Sequence, residues 1–192
     1  MKLNHTGTIK LETKRLILRL FSLDDSESFY HSITNNQQVR AYFLVPYHET
    51  LQETQNMMKH IVKTYQINTY HWAITLKENN TMIGLIRLFN LNEKERTAEI
   101  GYALDDKYWN KKYMTEALLV VLDHLFQEVG FIKITAYCMS ENKASSYVLK
   151  KNHMKYLGKT INGINWEEKN HDILHYALTK EEYFKKNNKV IF

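Results

Sequence analysis

The chain has 192 residues, 44% hydrophobic and 24% charged, with one proline and six glycines, which suits one ordinary globular core and leaves little for a long linker. One cysteine rules out an intrachain disulfide, no apolar run nears the ~20 residues that cross a bilayer, and the opening "MKLNHTGTIKLETKRL" lacks the apolar stretch of a secretory leader. A soluble, cytoplasmic protein is expected, and the net charge of +5 with a pI near 9.1 implies attraction to anions: a polyphosphorylated ligand, nucleic acid or an acidic protein surface.

In chain order, "IKLETKRLILRLF" (Ile9 to Phe21) becomes β-rich and is predicted as a first strand, and Ser22 and Asp24 cap a helix reaching about Thr34. Pro46 marks a loop before a long helix from Glu49 to Gln66. There Leu51, Met57, Met58, Ile61 and Val62 recur at helical spacing and Thr50 is placed to cap. "YHWAITLKE" and "TMIGLIRLFNL" flank Asn79 and Asn80, the signature of a β-hairpin. "RTAEIGYAL" (Arg96 to Leu104) completes an antiparallel meander. Met114, Leu118, Val121, Leu122, Leu125, Phe126 and Val129 then share one helical face, and Gly130 ends that helix. "FIKITAYCM" is the next strand, and its strand–helix–strand spacing favours a parallel crossover. "NKASSYVLKKN" is a second helix, and "MKYLGKT" and "HDILHYALT" are closing strands. The order predicts an α/β (α+β) chain with a mixed, mostly antiparallel central sheet of about seven strands, a parallel pair and flanking helices.

Cys138, at the end of an apolar strand pattern, reads as a packed thiol. Nine histidines show no paired ligand spacing, so no metal is expected. The lysines fall in scattered pairs (Lys111 and Lys112, Lys150 and Lys151, Lys185 and Lys186) without interleaved aromatics, which argues against a nucleic-acid surface.

The stretch "YALDDKYWNKKYMTEALLVV", Tyr102 to Val121, runs from a strand through a polar loop into a helix. A helix start presents unpaired N–H groups at the positive end of the macrodipole, where an anion docks. The amides of Asn110, Lys111, Lys112, Tyr113 and Met114 would wrap a pyrophosphate as a nest, with two lysines adding charge. A plain turn with solvated lysines fits the same residues, and from Asp105 to Thr115 there is no glycine.

"TAEIGYALDDKYWNKKYMTEALLVVLDHLF", followed by "ITAYCMSENKASSYVLKKNHMKYLG" and "HDILHYAL", resembles the GNAT superfamily of acetyl-CoA-dependent N-acetyltransferases. It is most similar to the branch of the RimJ and RimL ribosomal-protein N-terminal acetyltransferases. The likeness runs from "LETKRLILR" nearly to the end of the chain. It implies a single GNAT domain over residues 1–192, with a core of about 9–180 and a short tail at 181–192. It also implies a parallel pair that splays between "EIGYAL" and "KITAYC", where coenzyme A and acceptor lie.

The resemblance further implies a cofactor site of Tyr102, Ala103 and Leu104 along the pantetheine arm, a loop of Trp109, Asn110, Lys111, Lys112, Tyr113, Met114 and Thr115 on the pyrophosphate, and Asn142 and Ser145 at the next helix start. Lys112 and Asn110 stand where the family and branch place glycines, and Met114 at its final small position. His153 replaces another Gly and Met154 the aromatic after it, while Leu149 replaces the usual Tyr acid. Glu99 is the expected base, directly or through water, and Ser145 the donor toward sulfur, while Trp72, His171 and Asp172 line the acceptor pocket. The implied activity moves acetyl from acetyl-CoA to a primary amine by direct attack in a ternary complex, with a protein N-terminus as one acceptor and an antibiotic or polyamine as another. The missing loop glycine keeps open a non-catalytic acyl-CoA-binding module. No metal, membrane or nucleic acid is implied, and the protein is a monomer or homodimer.

Overall fold

The computed structural model describes residues 2–187. It contains β1 (Leu11–Glu12), β2 (Leu16–Arg19), α1 (Ser26–Phe29), α2 (Gln37–Arg40), α3 (Leu51–Lys63), β3 (His71–Leu76), β4 (Met82–Asn92), β5 (Thr97–Leu104), α4 (Tyr113–His124), β6 (Lys133–Met139), α5 (Lys143–Lys151), β7 (Lys155–Trp166), β8 (Lys169–Thr179) and α6 (Lys180–Asn187). The strands form a mixed sheet in the order β1-β2-β3-β4-β5-β6-β8-β7. Among the registers defined for the described residues, β5 with β6 is the parallel pair and the rest are antiparallel. This is the mixed, mostly antiparallel sheet expected, with eight strands instead of seven.

The extra strand comes from the first one. Ile9 to Phe21 is not continuous: the Thr13 amide donates to Leu16 O at 3.0 Å, and the Thr13 hydroxyl accepts from the amides of Arg15 and Leu16 at 3.3 and 2.9 Å. A threonine that satisfies its neighbours' amides locally competes with the ladder and turns the chain, making β1 and β2 a tight antiparallel pair. The next helix is also broken, into a 3₁₀ turn (Leu23–Asp25), α1 and a π-helical turn (Tyr30–Thr34). Its capping carboxylate is Asp25 rather than Asp24. Asp25 is 5% exposed, takes the Ser22 amide at 2.8 Å and holds Arg19 through two bonds of 2.8 Å. α2, capped by Asn36, is too short to leave a periodic signal.

Other local signals hold. Thr50 caps α3 through the Glu53 amide, and Asn80 turns the β3–β4 hairpin with φ 59°, its amide bonded to Leu76 O at 2.8 Å. α4 continues as a π-helical turn (Leu125–Val129) that ends on Gly130 at φ 90°, a left-handed position that suits glycine.

The chain divides into two compact units. One takes in His5–Arg87 and Tyr102–Val121. Its core packs Phe21, Phe29, Ile33, Val39, Met58, Met82 and Leu85, with Trp109 against the cluster. The other takes in Leu88–Gly101 and, among the described residues, 122–187 and 2–4. Phe126, Phe131, Ile134, Leu149 and Leu178 are fully buried in it, and Ser146 and Tyr176 bury a mutual hydroxyl hydrogen bond of 2.8 Å.

Candidate functional site

The loop before α4 is held from below. Asp105 caps a 3₁₀ turn (Asp106–Tyr108) through the Lys107 amide at 3.0 Å, while Ser32 donates to its other oxygen at 2.8 Å and Asn36 reaches Asp106 at 2.7 Å. The Trp109 indole N–H donates to Leu104 O at 2.8 Å. That side chain is thus an anchor. The backbone beyond it is what remains for a ligand.

Asn110 and Lys112 have φ of 60° and 62°, left-handed values that flank Lys111. Alternation of this kind aims successive N–H groups into one concavity, the geometry of an anion nest. The first intrahelical bond of α4 runs from the Glu116 amide to Lys112 O at 3.1 Å. The amides of Tyr113, Met114 and Thr115 therefore have no acceptor within the helix. Asn110, Lys111 and Lys112 are exposed and Met114 is buried. The two residues standing where glycines were expected keep a glycine-like backbone. Lys112 does not sit at ordinary helical angles. His153 behaves the same way: it follows α5 at φ 63°, and the Met154 amide returns to Leu149 O at 3.0 Å.

Arg15 and Glu116 carry no signal by pattern or spacing, yet they brace this loop. Arg15 Nε meets Glu116 Oε2 at 2.7 Å, Nη2 meets the same oxygen at 2.7 Å, and Nη1 donates to Lys111 O at 3.0 Å. The guanidinium lies 4.2 Å from the centroid of the Tyr113 ring. Burial would raise the Glu116 carboxyl, but hydrogen bonds from Thr13 and Arg15 outweigh it and hold the group below its usual range.

Upstream, Ala103 and Leu104 are buried and Tyr102 is partly exposed. Gly84 of β4 lies under them: a Cβ there would stand 2.4 Å from Ala103 O. The Asp105 amide donates to Ile83 O at 2.9 Å, so one edge of this segment is already engaged. Trp72 is 0% exposed, and its N–H donates to Ile9 O at 2.8 Å. The structure makes it a core residue with no face left for a substrate, contrary to the expectation that it lines a pocket.

In the other unit, the parallel pairing covers Thr97, Ala98 and Glu99 against Lys133, Ile134 and Thr135, while β5 and β6 run on to Leu104 and Met139. Glu99 is half-buried. Burial raises its carboxyl above the ordinary value, against a hydrogen bond with Asn90 and the nearby charge of His175. His175 is an exposed residue of β8 that pairs with Tyr137, and its Nε2 lies 2.9 Å from the Thr160 hydroxyl. Its sequence context carries no signal, because one histidine in an alternating strand looks like any surface residue.

Asn142 caps α5 by accepting the Ser145 amide at 2.9 Å, which leaves its amide N–H₂ for a ligand. The Ser145 hydroxyl faces Cys138, whose thiol is buried, as expected, and pushed up to about 11 by burial despite that contact. His171 Nδ1 is buried without a hydrogen-bond partner and lies 3.7 Å from Glu141. Asp172 is occupied: it pairs with Lys159 at 2.8 Å and accepts the Asn162 amide at 3.0 Å, and together these hold its carboxyl below the usual range. That ties Asp172 to the irregular stretch of β7. Among the described residues there is no cluster able to hold a metal ion and no helix long and apolar enough to cross a membrane.

Residues 15–155 match the acetyltransferase (GNAT) domain family. The N-acetyltransferase YnaD of Bacillus subtilis is 30% identical over 178 residues, covering 90% of this chain and 98% of its own. A crystal structure of a GNAT-family acetyltransferase from Bacillus anthracis superposes with a TM-score of 0.79 at 27% identity, over 91% of this chain and all of the other. RimL, a ribosomal L7/L12 alpha-N-protein acetyltransferase solved in complex with coenzyme A, shares the fold with a TM-score of 0.81 at 19% identity, over 91% and 99% of the two chains.

Proposed function

Because the chain belongs to the GNAT family of acetyl-CoA-dependent N-acetyltransferases, we propose that it moves acetyl from acetyl-CoA to a primary amine by direct attack in a ternary complex, and that the amine is a protein N-terminus. The observation that carries this reading is the pair of left-handed residues, Asn110 and Lys112, at the entrance to α4. A backbone held that way, at 112 against the preference of a lysine side chain, suits a diphosphate. The amides from Asn110 to Thr115 grip the diphosphate, Lys111 and Lys112 add charge, and backbone at Tyr102, Ala103 and Leu104 lies along the pantetheine.

Glu99 takes a proton from the bound ammonium, directly or through water, and leaves a neutral amine to attack. Its raised carboxyl makes it a better base near neutral pH than an ordinary glutamate. The amine attacks the thioester carbon, the nitrogen loses its second proton as the tetrahedral adduct collapses and the C–S bond breaks, and the departing thiolate takes up a proton through Ser145, whose hydroxyl is restored from solvent. Asn142 contacts the pantetheine and His171 lines the acceptor pocket. RimL acts on a protein N-terminus by its own description, and that shared fold supports the same acceptor class here.

Free thiol should appear when an N-terminal peptide is added to acetyl-CoA, and faster than with polyamines or aminoglycosides. Glu99→Gln should lower kcat roughly a hundredfold and flatten the acid limb of the pH profile, because the wild-type rate falls as Glu99 protonates. A Gln variant with the wild-type limb would remove Glu99 from the role of base. Faster turnover of polyamines would replace the acceptor.

A further inference from the structure

We propose that Arg15 is a positioning residue for cofactor use, acting through the loop it braces and touching no substrate itself. This rests on the reading that residues 110–115 hold the coenzyme A diphosphate. Arg15 makes three kinds of contact with the loop and the helix behind it. It forms a two-pronged ion pair with Glu116 in the first turn of α4, donates to Lys111 O and stacks on the Tyr113 ring.

Lys111 lies between the two left-handed residues. A bond to its carbonyl therefore orients the peptide plane it shares with Lys112, and with it the Lys112 amide. Glu116 in turn is set by Thr13 at 2.5 Å and by the Arg15 amide at 3.0 Å. The tight turn that splits the first strand is thus linked to the nest by a continuous run of charge-assisted bonds. A lysine would keep the charge but lose the planar fork that serves Glu116 and Lys111 together. The brace offsets the cost of left-handed angles at Asn110 and Lys112, so it matters most to a substrate that needs the nest.

The test compares acetyl-CoA with S-acetylpantetheine, which carries the thioester but no diphosphate. It uses the full chain with Arg15→Lys and Glu116→Gln. For the wild type, kcat/KM should favour acetyl-CoA strongly. In both variants that preference should shrink roughly ten- to hundredfold, through KM for acetyl-CoA, with S-acetylpantetheine turned over as before. Both rates come from the same folded fraction, so partial unfolding cancels in the ratio. Variants that keep the wild-type ratio, or lose both substrates equally, overturn the positioning role. A wild type with no preference for acetyl-CoA overturns the reading of the loop beneath it.

Discussion

Lys112 shows most directly what one residue contributes here. Its side chain is exposed, yet its backbone sits at φ 62°, where an L-residue pays about 1–2 kcal/mol. Glycine would remove that strain but lose more entropy on folding, so the net gain is smaller. Lys112→Gly should therefore be more stable than Lys112→Ala by about 1 kcal/mol, since both delete the charge and only one relaxes the backbone. Paired denaturant midpoints measure this, and equal midpoints would show that the loop adopts another form in solution. Asn110 belongs to a residue type that tolerates the left-handed region, so Asn110→Gly should change stability less. Loss of a glycine from a motif is not loss of the backbone shape, because Asn, Lys and His at 110, 112 and 153 all keep positive φ.

Among the elements, β4 and the end of β5 approach closely because Gly84 lacks a side chain. A methyl group there would stand 2.4 Å from Ala103 O, a backbone atom that moves only with its strand. Gly84→Ala should cost about 2 kcal/mol of stability and raise KM for acetyl-CoA by displacing Ala103 and Leu104. An unperturbed variant on both counts would mean that the strand end is not a fixed edge for the pantetheine arm. Elements with strong local chemistry were legible in advance: α3 from Thr50 and its apolar stripe, the β3–β4 turn from its paired asparagines, and the end of the α4 helix from Gly130. The break at Thr13 was not, because a threonine in a β-rich run promotes both strand and turn. The capping role of Asp25 over Asp24 depended on Arg19, which pattern alone does not place.

For the molecule as a whole, pH dependence is set partly by His71. Burial, with Arg87 adding repulsion, lowers its pKa from 6.5 to about 4, while its ring packs edge-on against Phe21 at 4.9 Å. The unfolded chain binds the proton that the folded chain resists. The contribution is therefore complete above pH 6.5 and is lost as pH falls toward 4, by at most roughly 3 kcal/mol. His71→Phe keeps an aromatic ring and should flatten the stability curve across that window, measured by chemical denaturation at several pH values. A wild-type slope in the variant would assign the dependence to other groups.

The sequence by itself determined what local chemistry writes into short stretches: the alternation of strands, the apolar face of the helix after the loop, the family to which their order belongs, and the candidate residues along β5 and the loop. These are legible because caps, turns and periodicity act between neighbours in the chain. Only the tertiary structure decided that Trp72 is sealed in the core, that Asp172 is spent on Lys159 and Asn162, that His175 keeps company with Glu99, and that Arg15 reaches 101 positions along the chain to Glu116. Those outcomes depend on which distant groups compete for one carboxylate, carbonyl or patch of apolar surface, and that competition is settled by packing.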